Sequence, residues 1–490
     1  MYLLSWTLAA LLVVLSSVDT TVSAVPLTWP TLPIFDADND AFVLPESINP
    51  TQYIVNLVPD IKSKKFHGEV NILGQTDDTG FEVNRIVLNA DDLKVKSVQL
   101  VDLTEGAREV QIKNFVLKRI PQWLVVTLAS NLSANSDYQL RIKFEGNFGV
   151  EAGMYHASYD DDYTKIGGDV AFTEFQTTYA RKVFPCWDEP KYKASFIMRV
   201  ARYPQQISLS NMPLKSTSVP DPHEDNRVWD TFEESPDMST YLVAMVVAQL
   251  VSVHDPVHNL SIWTQPGRQE GAQYALNLTG QLMDRMDQYT GIPYTLPKLD
   301  QVALPKLRHQ AMEHWGVIAF SERFLVVDDL NSLKQKQQVA FHISHELSHQ
   351  WFGNLVTMEW WNYVWLNEGF AEFFQYFLLD MLEPTWRLME IFVVNEMQSM
   401  LTHDSFLFTH PVTMSKVRSV VDIEKVFDSV SYCKGGALVR MLYHIMTPDL
   451  FQKAIRDYLQ QNSLKSVTED ELWDSLSSVQ TELNWICRLT

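Results

Sequence analysis

His345-Glu346-Leu347-Ser348-His349, flanked by Phe341-His342-Ile343-Ser344 and by Gln350-Trp351-Phe352-Gly353, decides how this chain reads. Apolar residues at Phe341, Ile343, Leu347 and Phe352 predict a mostly buried helix from Leu333 to Trp351. Asn331 or Ser332 is its expected cap and Gly353 its stop. Positions i and i+4 of a helix share one face, so the imidazoles of His345 and His349 can hold one ion. Glu346, between them in sequence, is placed to take a proton from a water at that ion.

Two histidines leave a metal under-coordinated, and a third protein ligand is needed beside one open position. Asn367-Glu368-Gly369 opens the next expected helix, which runs to Met381, and 18 residues separate Glu368 from His349. That gap suits a loop and a return to an antiparallel helix. Zinc at His345, His349 and Glu368 is therefore the expected cofactor site. Cys186, Cys433 and Cys487 are the only cysteines and show no zinc spacing, so His and carboxylate must supply the ligands.

Outward from this motif the chain divides. Tyr138 to Phe144 alternates, with Leu140, Ile142 and Phe144 on one face. Trp123 to Leu128 is a short apolar run expected in a sheet packed on both faces. These patterns predict an all-β domain over 25–250. From about residue 265 the period turns helical, first over Gly271 to Tyr289. Thr468-Glu469-Asp470-Glu471 is a capping box for a late helix. The expected fold is multidomain: an all-β N-terminal domain, then a mainly α domain over 251–490.

The 490 residues are 46% hydrophobic and 20% charged, enough for more than one core. Sixty acidic residues against 39 basic ones give a net charge of -21, and no basic run argues for nucleic acid. Leu3 to Val18 is nearly all apolar and Val22-Ser23-Ala24 has the small residues of a cleavage site. Residues 1–24 therefore read as a signal peptide of a secreted chain; the alternative is an uncleaved N-terminal anchor at the cell surface. No other segment reaches a membrane-spanning length. Asn131-Leu132-Ser133, Asn259-Leu260-Ser261 and Asn277-Leu278-Thr279 are candidate glycan sites.

The run from His345 to Thr357, followed by Trp365-Leu366-Asn367-Glu368-Gly369-Phe370-Ala371, resembles the aminopeptidase N-like family of zinc metallopeptidases. Phe184-Pro185-Cys186-Trp187-Asp188-Glu189-Pro190, Ser210-Asn211-Met212-Pro213 and Met238-Ser239-Thr240-Tyr241-Leu242 carry the likeness into the N-terminal half. The resemblance implies a thermolysin-like catalytic domain and removal of one residue from a peptide's free N-terminus. It implies Tyr432, in Tyr432-Cys433-Lys434-Gly435, as donor to the oxyanion. It implies Glu313, with Ala311 and Met312 in Gln310-Ala311-Met312-Glu313-His314, as the anchor of the substrate's ammonium group.

The sequence departs from the family pattern at four places. Gln310 and His314 replace Gly and Asn, and Gln310 is expected to crowd the cleft. Glu174 replaces Gln in the Thr173-Glu174 pair, adding a carboxylate that repels Glu313 and favours a basic first residue. Tyr363 stands where the family carries Asp; if that acid orients a zinc-bound histidine, metal binding weakens. The sequence ends at Thr490, before the β-sandwich and helical domains the resemblance implies, which predicts a more open cleft. The expected function is a zinc metallo-aminopeptidase acting on peptides with a free N-terminus. The alternatives are a catalytically impaired peptide-binding relative and a metallo-endopeptidase.

Overall fold

The computed structural model describes residues 42–479, apart from 46–47, 78–82, 105, 160–167, 223–224 and 329–331. The expected signal peptide, Asn331 and Cys487 lie outside the described residues.

Strand Asp137–Asn147 shows how the N-terminal half is built. Tyr138, Leu140, Ile142 and Phe144 are buried, while Arg141 and Lys143 face solvent. The strand pairs antiparallel with Lys65–Gln75 on one side and Lys94–Asp102 on the other. It belongs to an eight-stranded sheet in which Asn49–Asp60 and Ser195–Arg202 run parallel. In Trp123–Leu132, by contrast, Leu124, Val125 and Val126 are all buried in succession. That strand is central, between Val83–Asn89 and Ile112–Lys118. A four-stranded sheet places Asp169–Glu174 between Met245–Ala248 and Gly153–Ser158, so Glu174 ends a strand inside the protein.

The second half opens with a mixed five-stranded sheet that the helical period from residue 265 does not anticipate. Its order is Val251–Asp255, Leu260–Thr264, Leu299–Leu304, Val317–Ser321 and Ala311–Met312. Leu299–Leu304 is buried at every position, so it has no alternation to read. Its polar residues are paired: Lys298 reaches Asp300 at 2.7 Å, and Gln301 donates to Thr279 at 3.0 Å. Ala311–Met312 has only two residues and lies at the sheet's edge.

Helices follow. Gln273–Thr290 and the histidine helix, Leu333–Ser348, are joined by the glutamate helix, Trp365–Leu382. Ser332 caps the histidine helix by accepting from the Gln335 amide at 3.3 Å. The box at Thr468 is complete: its hydroxyl accepts from the Asp470 amide and its own amide donates to Glu471. A π-helical segment, Val430–Lys434, leads into helix Gly435–Met446 and carries Tyr432. Among the described residues no helix is long and apolar enough to cross a membrane. The architecture is thus a β-rich N-terminal half followed by a helical second half.

Candidate metal centre and substrate cleft

His345 and His349 lie one turn apart and project from the same face of the histidine helix. Their Nε2 atoms are 3.1 Å from each other. Glu368, from the first turn of the glutamate helix, places Oε2 3.4 Å from His345 Nε2 and 3.2 Å from His349 Nε2. A tetrahedral ion with bonds of about 2.0–2.1 Å keeps its donors about 3.3 Å apart, so this triangle has the required edge lengths.

The opposite ring nitrogens give an independent test. His349 Nδ1 faces the carbonyl of Phe352 at 3.0 Å, and His345 Nδ1 faces Oε1 of Gln375 at 3.1 Å. Both partners only accept, so each Nδ1 carries the proton and each Nε2 presents a lone pair. Two lone pairs and a carboxylate converging on one point need a cation. The surrounding charge says the same. Burial alone would raise Glu368, but the histidines hold it down at about 2. Burial alone would lower His349, but Glu368 and Glu313 push it up to about 10. A proton or a metal must sit there, and the donor set fits zinc.

Glu346 is buried and its Oε2 has no partner. Burial, and then Glu313, push its carboxyl well above the usual range. It shares a pocket with Glu313 and His349, whose ligand atoms all lie within 4.8 Å of one another. Glu313 directly follows the edge strand Ala311–Met312. Its backbone carbonyl accepts from Gln350 at 3.1 Å and from Asn354 at 2.8 Å, which ties it to the end of the histidine helix. Burial raises its carboxyl to about 7. Tyr432 stacks on His345, with ring centroids 6.0 Å apart and planes at 15°. Burial and the neighbouring Glu368 raise its hydroxyl well above the ordinary tyrosine value, so it stays protonated as a donor.

Glu174 reaches the same neighbourhood from the N-terminal half. Gln176 spans the two carboxylates, its amide donating to Glu174 Oε1 at 3.3 Å and its side chain to Glu313 Oε1 at 3.2 Å. Burial, and then Glu313, lift Glu174 to about 8. The structure thus brings together His345, His349, Glu368, Glu346, Glu313, Glu174 and Tyr432, with Ala311 and Met312 leading into the pocket.

Three departures from the family pattern acquire a physical meaning. Gln310 is exposed and its side-chain oxygen meets the His342 ring, so among the described contacts it does not reach Glu313. His314 is buried, neither ring nitrogen has a partner, and burial lowers it to about 3; it adds no charge to the pocket. Among the described residues no hydrogen bond joins Tyr363 to either histidine. Gln375 and the Phe352 carbonyl orient those rings instead.

Sequence reasoning missed Gln375, Gln176 and Tyr241. Gln375 lies two turns beyond Glu368 on one helix face, a spacing that offered a signal. Its side chain also donates to Glu372 at 2.7 Å. Tyr241, within the quoted Met238–Leu242 stretch, donates to the Gly353 carbonyl at 3.2 Å and accepts from Asn367 at 3.3 Å. It therefore braces the turn after His349 against the residue before Glu368.

Residues 274–489 match the Peptidase family M1 domain, and residues 49–242 match the Peptidase M1 N-terminal domain. Aminopeptidase N of Bos taurus is 39% identical over 388 residues, covering 77% of this chain and 40% of that protein. Aminopeptidase N of Canis lupus familiaris is 35% identical over 451 residues, covering 88% and 46%. Glutamyl aminopeptidase of Sus scrofa is 35% identical over 448 residues, covering 89% and 46%. In each case the chain spans less than half of the relative's length.

Proposed function

The chain belongs to peptidase family M1, and from that premise we propose that it is a zinc metallo-aminopeptidase that removes the first residue of peptides with a free N-terminus. His345, His349 and Glu368 would hold the zinc, which when bound supplies Lewis acidity for amide hydrolysis. The observation that carries this reading is the triangle of donors at 3.1 to 3.4 Å with both Nδ1 protons engaged elsewhere.

Each remaining residue has one task. Glu346 accepts the proton of the attacking water and passes it to the leaving amine; its raised affinity for a proton suits that exchange. Tyr432 donates to the oxygen that gains charge in the tetrahedral state. Glu313 receives the substrate's ammonium in a charge-assisted hydrogen bond and so sets the register to one residue. The outer edge of Ala311–Met312 is unpaired within its sheet, which allows a substrate backbone to add as a short strand. The apolar leader and the three Asn-x-Ser/Thr triplets support a secreted or cell-surface setting for this reaction.

The test is zinc quantification of the purified chain together with a screen of aminoacyl reporter substrates. One zinc per chain and reporter release that a chelator abolishes are expected. Release from N-acetylated peptides at equal rate would instead indicate an endopeptidase. Zinc binding without any turnover would leave only a peptide-binding role.

A further inference from the structure

We propose that Asn259 carries an N-linked glycan whose first N-acetylglucosamine seats in a cavity between the two halves of the chain, against the Trp263 indole. The inference goes beyond the aminopeptidase reading and rests only on the secreted or cell-surface setting proposed with it.

Asn131, Asn259 and Asn277 are all exposed, so exposure does not separate the three Asn-x-Ser/Thr triplets. Asn259 differs in what lies beside it. A cavity of about 320 Å³ has Asn259, Ser261 and Trp263 in its wall, and neither Asn131 nor Asn277. Along strand Leu260–Thr264, Leu260, Ile262 and Thr264 are buried, so Ser261 and Trp263 share the opposite, half-buried face. Asn259 joins that wall from the residue before the strand, at a φ of 48°. Leu209, Met212 and Leu214 line the same cavity from the N-terminal half.

The chemistry of this wall fits a pyranose. One face of the sugar ring presents C–H groups, while its rim carries hydroxyls and an acetamide. The face of an indole is electron-rich and suits the C–H side. The Trp263 ring is held in place because its Nε1 donates to Asp300 at 2.8 Å. Asp300 also accepts from Lys298, and its carboxylate keeps lone pairs for a sugar hydroxyl. The volume is at the lower end for ligand pockets, about 300 Å³, so it takes one ring and not a branched chain.

Attachment is transfer from an oligosaccharyl diphospholipid. The Nδ2–C1 bond forms, the C1–O bond to the diphosphate breaks, and Nδ2 gives up one of its two protons. The other proton keeps the 2.7 Å bond from Asn259 Nδ2 to the Pro297 carbonyl, so the contact that orients the side chain also aims the sugar.

The experiment expresses the full chain with its leader in secretory eukaryotic cells and reads the occupancy of each triplet by mass spectrometry. Asn259 should be occupied. The native protein is then treated with peptide N-glycosidase, which must reach the Nδ2–C1 bond. Release from Asn259 should be at least tenfold slower than from another occupied triplet, with the difference lost on denaturation. Trp263→Leu should recover most of that rate. An unmodified Asn259 beside a modified Asn131 or Asn277 overturns the inference and leaves the secretory setting standing. Equal release from the native sites, or a rate unchanged in Trp263→Leu, means a solvated glycan and overturns the seat. If Trp263→Leu is not secreted, the comparison between wild-type sites decides alone. No modification at any triplet removes the secretory setting and the inference with it, while reporter turnover still judges the aminopeptidase reading.

Discussion

Gly369 and Gly435 pack backbone against backbone, where the glutamate helix meets the segment that carries Tyr432. A Cβ on Gly369 would stand 2.7 Å from the carbonyl carbon of Gly435 and 2.8 Å from its Cα. A Cβ on Gly435 would stand 3.0 Å from the Gly369 Cα. These contacts are main chain, so no side chain can swing aside. Glu368 immediately precedes one glycine and Tyr432 lies three residues before the other, so the contact sets the distance between ligand and donor.

Gly369→Ala is therefore expected to part the two helices and shift Tyr432 from its place over His345. Misplacing a catalytic donor by about 1 Å costs up to about 100-fold in rate. Zinc content, measured by elemental mass spectrometry, should stay near that of the wild type while kcat falls. An unchanged kcat would show that Tyr432 is not positioned through this contact.

Gln375 governs a different property. Its oxygen fixes the proton of His345 on Nδ1, which leaves Nε2 free for the metal. Gln375→Leu removes that acceptor and lets the ring rotate or change tautomer. Loss of a hydrogen bond behind a metal-bound histidine weakens metal affinity about 10- to 100-fold. Competition against a chromogenic chelator reads this directly, independent of turnover. Tyr363→Asp restores the family's acid, but Tyr363 makes no described bond to either ring, so the same assay should barely respond.

Glu346→Gln separates chemistry from stability. The carboxylate is the proposed proton acceptor, and its loss should lower kcat about 10²- to 10⁴-fold. It is not among the three metal donors, so zinc should be retained. Its Oε2 is buried without a partner, and an uncharged amide of the same shape avoids the cost of a buried charge. The thermal midpoint should hold or rise as activity vanishes. A midpoint that drops with activity would mean that Glu346 is a structural residue.

What could be read in the sequence follows from distance along the chain. The caps at Ser332 and Thr468, the buried face of the histidine helix and the alternation from Tyr138 to Phe144 are all local, and the period exposes them. The pairing of His345 with His349 is also local. Gln176 meets Glu313 across 137 residues, and Asn367 meets Tyr241 across 126. No period encodes such contacts. The five-stranded sheet escaped for a related reason. Its central strand is buried on both faces, and its edge strand is only two residues long.

Tyr241 shows what one of these long contacts is worth. Its hydroxyl serves the Gly353 carbonyl behind His349 and receives the Asn367 amide beside Glu368. Tyr241→Phe leaves the buried Asn367 amide without its acceptor, while the Gly353 carbonyl keeps the Thr357 hydroxyl at 2.6 Å. One unsatisfied buried group costs about 1–3 kcal/mol, so urea denaturation should show a loss of stability of that order. A midpoint within error of the wild type would remove Tyr241 as the brace between the two halves.

Glu174→Gln gives the pH test of the acidic pocket. In the unfolded chain a glutamate titrates near about 4.3. In the folded chain burial and Glu313 raise Glu174 to about 8. Its folded pKa is the higher one, so its contribution is fully present below about pH 4 and is lost as pH rises through about 8. Glutamine does not titrate. The stability gap between Glu174→Gln and wild type, read by urea denaturation, should therefore widen from pH 5 to pH 8 and then level off. Its size should be on the order of a few kcal/mol, since one pKa unit is worth about 1.4 kcal/mol. A gap that stays constant over that range would show that burial and Glu313 do not raise Glu174. A gap that widens means that the wild-type chain keeps this buried carboxylate at a cost in stability that grows as it ionises.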